Sequence, residues 1–177
     1  MKTHFDTLGV AQGFHIAPAE LEKRFLELTR QHHPDKFAKA APRERLESVQ
    51  RTTALNDAYR VLKDPVKRAE YLLKLEGFDV ADEKGSVKAA PELLGDMMER
   101  NEALAEARAE GDAARVEAIA GEVRTLSDET MRGIEEKFRA VPVPYAEIAQ
   151  LLISLRYYAR LLEQVEAFES GADAEAR

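Results

Sequence analysis

Residues 18–37, PAELEKRFLELTRQHHPDKF, decide how the chain is read. Leu21, Phe25, Leu28 and His32 recur at i, i+4, i+7 and i+11, one stripe of a helix that Pro18 opens at its first turn. Lys23 and Arg30 fall opposite that stripe, so the solvent face of this helix is basic. Pro34 stops it, because the residue before a proline avoids the α region. The helix therefore gives way to a short polar turn, His33-Pro34-Asp35. There the proline fixes the backbone while an imidazole and a carboxylate project beside a basic helix face.

Outward from this point almost every periodic segment has the helical period. A helix is expected over about 42–62, with Leu55, Ala58, Tyr59 and Leu62 as its clearest apolar set. Asp64-Pro65 caps a shorter one carrying Ala69, Leu72 and Leu73, which ends near Gly77. Residues 79–90 have no period and contain a Gly-Ser breaker, as a linker would. Three longer helices follow. One covers about 91–110 and ends at Gly111-Asp112. The next covers about 112–139, with Val116, Ile119, Val123, Leu126, Ile134 and Phe138 near heptad spacing. The last covers about 145–169, with Ile148, Leu151, Leu155, Tyr158, Leu162 and Val165 at steps of three and four. Short connections between long helices force antiparallel neighbours, hence an up-down three-helix bundle. The expected architecture is all-α in two domains, 1–76 and 91–171, joined by a linker over 77–90.

Composition narrows the function classes. The 177 residues are 45% hydrophobic and 33% charged, a globular balance, with no apolar run long enough to span a bilayer. The absence of cysteine excludes disulfides, thiolate zinc sites and cysteine ligation of an iron–sulfur cluster by this chain itself. The start lacks the apolar stretch of a secretory signal and carries an early acid, unlike a transit peptide. A cytoplasmic protein of bacterial type is expected, with a processed organellar form as the alternative. Residues 1–78 hold 14 Lys and Arg against 11 Asp and Glu, and residues 79–177 hold 12 against 22. A basic front and an acidic back suit two different partners, and the acidic half argues against nucleic acid.

The polar turn has informative neighbours. Phe5-Asp6-Thr7-Leu8-Gly9-Val10 precedes it, and Ala58-Tyr59-Arg60-Val61-Leu62-Lys63-Asp64-Pro65 and Arg68-Ala69-Glu70-Tyr71 follow. This order is similar to the J-domain, although Leu72 follows Tyr71 where Asp is common. The resemblance implies stimulation of a partner Hsp70's ATPase, with His33, Pro34, Asp35, Lys23, Arg24, Arg30 and Lys36 as the matching contact positions. The chain lacks the Gly/Phe-rich segment and Cys-x-x-Cys module of general-purpose J-proteins, which suits a specialised co-chaperone. His32-His33-Pro34-Asp35-Lys36-Phe37, Arg68-Ala69-Glu70-Tyr71-Leu72-Leu73 and Gly77-Phe78-Asp79 resemble the HscB family, the J-proteins of iron–sulfur cluster assembly. That resemblance spans the whole chain. It implies a C-terminal bundle that holds an IscU-type scaffold and delivers it to an HscA-type Hsp70.

The bundle can also be read from its own spacing. On the helix over 91–110, Leu93, Met97, Asn101 and Leu104 form the core seam. Leu94 and Met98 lie around from it, edged by Glu99, Glu102 and Glu106. The resemblance makes these five positions, with Tyr157 of the last helix, the scaffold-binding patch, with Gly95 standing where the family often has a larger apolar residue. The alternative for Leu94 and Met98 is a wider core stripe. An enzyme is the rival class, but no phosphate loop, metalloprotease motif or nucleophile elbow is present. His32 and His33 are adjacent, so on a helix they would point ~100° apart and share no face. No catalytic residue, metal or cofactor is expected. A J-protein for a different client is the other rival.

Overall fold

The computed structural model describes residues 2–80 and 87–170. Among these there are seven α-helices: α1 (His4–Leu8), α2 (Pro18–His32), α3 (Pro42–Lys63), α4 (Pro65–Leu75), α5 (Pro91–Glu110), α6 (Ala113–Lys137) and α7 (Tyr145–Glu169). A 3-10 turn, Pro34–Phe37, follows α2, and no strand occurs among the described residues. The chain divides into two compact units, Met1–Leu75 and Glu76–Arg177.

In the first unit α2 and α3 pack against each other, and α1 lies against α3. Helix α1 was not legible in the spacing, because five residues are too few to show a period. It forms through its ends. Thr3 and Asp6 make a capping box, and the hydrogen bonds from Thr3 hold the Asp6 carboxyl below its ordinary pKa. At the other end Gly9 takes a left-handed conformation, φ 64°. The α2 stripe buries Leu21 fully and Phe25, Leu28 and His32 in part, and Phe25 stacks on Tyr59 of α3 at 4.1 Å. Asp64 makes the corner between α3 and α4 by accepting from the Val66 and Lys67 N–H groups at 2.9 and 3.1 Å. The core contains Phe5, Leu8, Leu55, Ala58, Leu62, Ala69, Leu72 and Leu73.

The same core holds a charge that the pattern did not disclose. Arg68 is buried, donating to the Leu62 carbonyl at 2.7 Å and the Phe14 carbonyl at 2.6 Å. Its guanidinium also sits over the Phe14 ring. Burial pulls its pKa down while Asp64 opposes that shift. The two carbonyls lie far apart in sequence, so one side chain ties the segment before α2 to the α3–α4 corner.

The second unit is the antiparallel bundle α5–α6–α7. Gly111, φ 69°, ends α5, and Asp112 starts α6 by accepting from the Arg115 N–H at 3.0 Å. Met97, Leu104, Ala107, Val116, Ala120, Val123, Leu161 and Val165 form one core cluster. The α7 stripe differs from its expected course. Ile148, Leu155 and Val165 are buried, but so are Ala149, Leu152, Ile153 and Leu161. Helix α7 packs against both other helices and buries a sector wider than one stripe. Residues read as linker take part in this unit: Phe78 stacks on Tyr145 at 6.3 Å, and Val80 is buried. Burial, with Glu76 nearby, pushes the Tyr145 pKa up. Residues 81–86, also read as linker, lie outside the described residues.

Candidate functional site

Two surfaces carry the residues singled out by the sequence, one in each unit. In the first, Pro34 ends α2 and the chain enters the 3-10 turn directly. The His33 side chain is 50% exposed and that of Asp35 is 90% exposed. His33 Nδ1 accepts from the Asp35 N–H at 3.3 Å and lies 3.5 Å from the Asp35 carboxylate. The tautomer that accepts at Nδ1 carries its proton on Nε2. The turn thus offers a ring N–H donor and an exposed carboxylate acceptor on a backbone stiffened by proline.

Arg30 and Lys36 line a shallow cleft with Thr29, His33 and Asp35, so the turn is bordered by positive charge. Lys23 is exposed two turns earlier on α2, roughly 10 Å along the axis from Arg30. Arg24 behaves differently. Its guanidinium pairs with Glu27 at 3.5 Å and lies so close to Gly9 that a Cβ there would be 2.8 Å from Nη2. Of the four cations, Arg24 is the one turned toward α1. The end of α2 is held from α3: Ser48 and Thr52 both donate to the His32 carbonyl, at 2.7 and 3.1 Å. Neither hydroxyl was singled out by sequence. The available signal was a pair of hydroxyl residues one turn apart on the inward side of α3.

The second surface lies on α5 and α7. Gln150 of α7 donates to the Lys88 carbonyl at 3.0 Å, and Gln164 donates to Asn101 Oδ1 at 3.1 Å. The partners are 62 and 63 positions apart, so α5 and α7 run parallel in nearly constant register. The same register sets Leu94 beside Tyr157, two turns before Asn101 and Gln164. Leu94 is 44% exposed and Met98 65%, which removes the wider core stripe as an account of them. They are the two large apolar side chains left exposed on the helices of this bundle among the described residues. Tyr157 is half-buried against the core cluster, with the Arg160 guanidinium over its ring.

The acids divide. Glu102 lies one turn from Met98, and Glu99 is its neighbour in sequence; both are exposed. Glu106 instead reaches α6, where Arg115 bonds it at 3.0 Å and also pairs with Glu110. Among the described residues no group of three or more His, Cys, Asp or Glu could hold a metal ion. No helix of the described residues is long and apolar enough to cross a membrane.

Comparison with known proteins matches both units. Residues 3–71 match the DnaJ domain and residues 89–166 the HSCB C-terminal oligomerisation domain. The co-chaperone protein HscB homolog of Vibrio atlanticus (strain LGP32) is 34% identical over 167 residues, 94% of this chain and 96% of that protein. The chain belongs to the HscB family. Its structure is similar to the chaperone HscB from Vibrio cholerae, with a TM-score of 0.77, 31% identity and coverage of 95% of this chain and 98% of that one. It is also similar to the human co-chaperone protein HscB, with a TM-score of 0.82, 27% identity and coverage of 96% and 83%. Both parts of the HscB fold are therefore present among the described residues: an N-terminal J-domain carrying the His33-Pro34-Asp35 turn, and a C-terminal three-helix bundle.

Proposed function

We propose that this HscB-family co-chaperone binds an IscU-type iron–sulfur scaffold on its bundle and delivers it to an HscA-type Hsp70, whose ATPase its J-domain stimulates. The observation that carries the reading is the exposure of two unlike surfaces on one chain. A rigid charged turn in the J-domain offers polar recognition of the chaperone, and an apolar pair on the bundle offers a place for a client.

On the chaperone side His33 and Asp35 make the directional contacts, and Pro34 holds them in place. Lys23, Arg30 and Lys36 steer an acidic surface toward the turn. Arg24 contributes chiefly through its packing on Gly9. On the client side Leu94, Met98 and Tyr157 are the apolar floor, with Glu99 and Glu102 at the rim. Glu106 joins them only by leaving Arg115. The chain holds two partners together and performs no chemistry of its own. Its bacterial relatives support a cytoplasmic site of action.

The test is capture of partners by the full chain. A purified IscU-type scaffold and an HscA-type Hsp70 should both be retained, and scaffold together with this chain should raise Hsp70 ATP turnover more than either alone. Retention of the Hsp70 with no retention of scaffold would overturn the client assignment and leave a J-protein for another client.

A further inference from the structure

We propose that Ser48 and Thr52 of α3 are positioning residues for the His33-Pro34-Asp35 turn, acting through the His32 carbonyl. The inference rests on the reading of that turn as the Hsp70 contact. It begins with an accounting of backbone groups. A carbonyl in the last turn of an α-helix lacks the N–H four residues on that its predecessors use. For His32 that N–H belongs to Lys36, which donates instead to the His33 carbonyl at 3.0 Å. Pro34 has no N–H, and that of Asp35 goes to His33 Nδ1. The nearest backbone donors are thus committed within the turn.

Helix α3 supplies what the turn cannot. Ser48 and Thr52 are one turn apart on one face, and both hydroxyls converge on the two lone pairs of the same oxygen. Ser48 is only 2% exposed, so its donor position is not readily replaced by bulk water. This clamp fixes the last residue of α2 against α3, and the next residue in the chain is His33. The direction in which the imidazole and the Asp35 carboxylate leave the J-domain, relative to Arg30, is set there. Without the clamp the turn samples several directions. Only the competent fraction binds, so apparent affinity falls by that fraction while the rate at saturation is kept.

The experiment uses the full chain carrying Ser48→Ala and Thr52→Val, which remove both donors at nearly constant volume. Hsp70 ATPase is measured against co-chaperone concentration, and exchange of the Lys36 amide is followed in the same samples. The half-saturating concentration should rise roughly tenfold with maximal stimulation unchanged, and Lys36 should exchange faster. Thr52→Ser, which keeps the hydroxyl, should stay near wild type. A folded double variant with wild-type half-saturation and wild-type Lys36 exchange would overturn the proposal. If the double variant fails to fold, the single Thr52 variants decide: equal behaviour of Thr52→Val and Thr52→Ser overturns it, and loss in Thr52→Val alone supports it. His33→Gln runs alongside as the control for the docking reading. Should that variant stimulate normally, the docking reading fails and Lys36 exchange alone decides whether the clamp holds the turn.

Discussion

Replacing Leu94 and Met98 together by alanine separates a docking surface from a core in one experiment. The two side chains are 44% and 65% exposed, so about one whole large apolar side chain remains to be covered by a partner. Covering that much is worth roughly 1.5–3 kcal/mol. Loss of about 2 kcal/mol weakens binding roughly thirtyfold. The free protein should lose much less. Part of each side chain is already covered, but alanine is the better helix former and offsets some of that loss. The melting temperature should fall by no more than a few degrees. Leu104→Ala is the contrasting control: that side chain is 1% exposed in the core cluster, and its truncation should cost about 2–5 kcal/mol of stability. Calorimetric titration with an IscU-type scaffold, beside thermal melts, reads both quantities. Scaffold affinity within twofold of wild type in a folded double variant would refute the assignment.

His33→Gln should abolish Hsp70 stimulation while leaving the melting curve in place, because the side chain is half exposed and bonds only within its own turn; steady-state ATPase assays check it. Residues 1–76 expressed alone should be helical by circular dichroism and still stimulate the Hsp70, since the first compact unit closes at Leu75; an unfolded fragment would mean that the halves share a core. Burial holds the His4 pKa below its ordinary value, with Asp57 opposing, so the unfolded chain takes up this proton first. The His4 contribution to stability is therefore full above the unfolded value of about 6.5 and is lost as pH falls through the folded one. Chemical denaturation at pH 7.5 and at lower pH, in wild type and His4→Gln, should show a smaller acid penalty in the variant. Gly9→Ala should destabilise the J-domain by roughly 1–2 kcal/mol, because φ is 64° and the added Cβ meets Arg24; thermal unfolding measures it.

The boundaries of the long helices were legible because proline and glycine mark them. Pro18, Pro34, Pro42, Pro65, Pro91 and Gly111 stand at or beside observed helix ends. The exposure of Leu94 and Met98 also followed from the wheel alone, since both sit off the seam of Met97 and Leu104. What escaped depended on partners brought in from other elements. Arg68 is only a motif residue in the sequence, and its burial shows once the Phe14 and Leu62 carbonyls close around it. Glu106 reads as part of an acidic rim until Arg115 comes across from α6. Arg24 reads as one of a basic row until Gly9 brings α1 beneath it. In each case the missing information is of one kind: periodicity reports which face a residue occupies, not what the opposing element brings to it.

The parallel course of α5 and α7 gives the proposed client surface a direction. Adjacent antiparallel helices cancel one another's dipoles, whereas two parallel ones add. The amino end of α5 lies one turn before Leu94 and that of α7 about three turns before Tyr157, and neither N-cap residue, Ala90 or Pro144, makes a side-chain cap hydrogen bond. Glu92 and Glu147 in the first turns answer part of that positive pole, while at the far end only α5 carries a last-turn cation, Arg108. The two backbone dipoles therefore point the same way along the proposed client surface. If the proposed assignment holds, a client of uneven charge would meet that surface in one preferred orientation and would be presented to a second protein the same way round at every encounter.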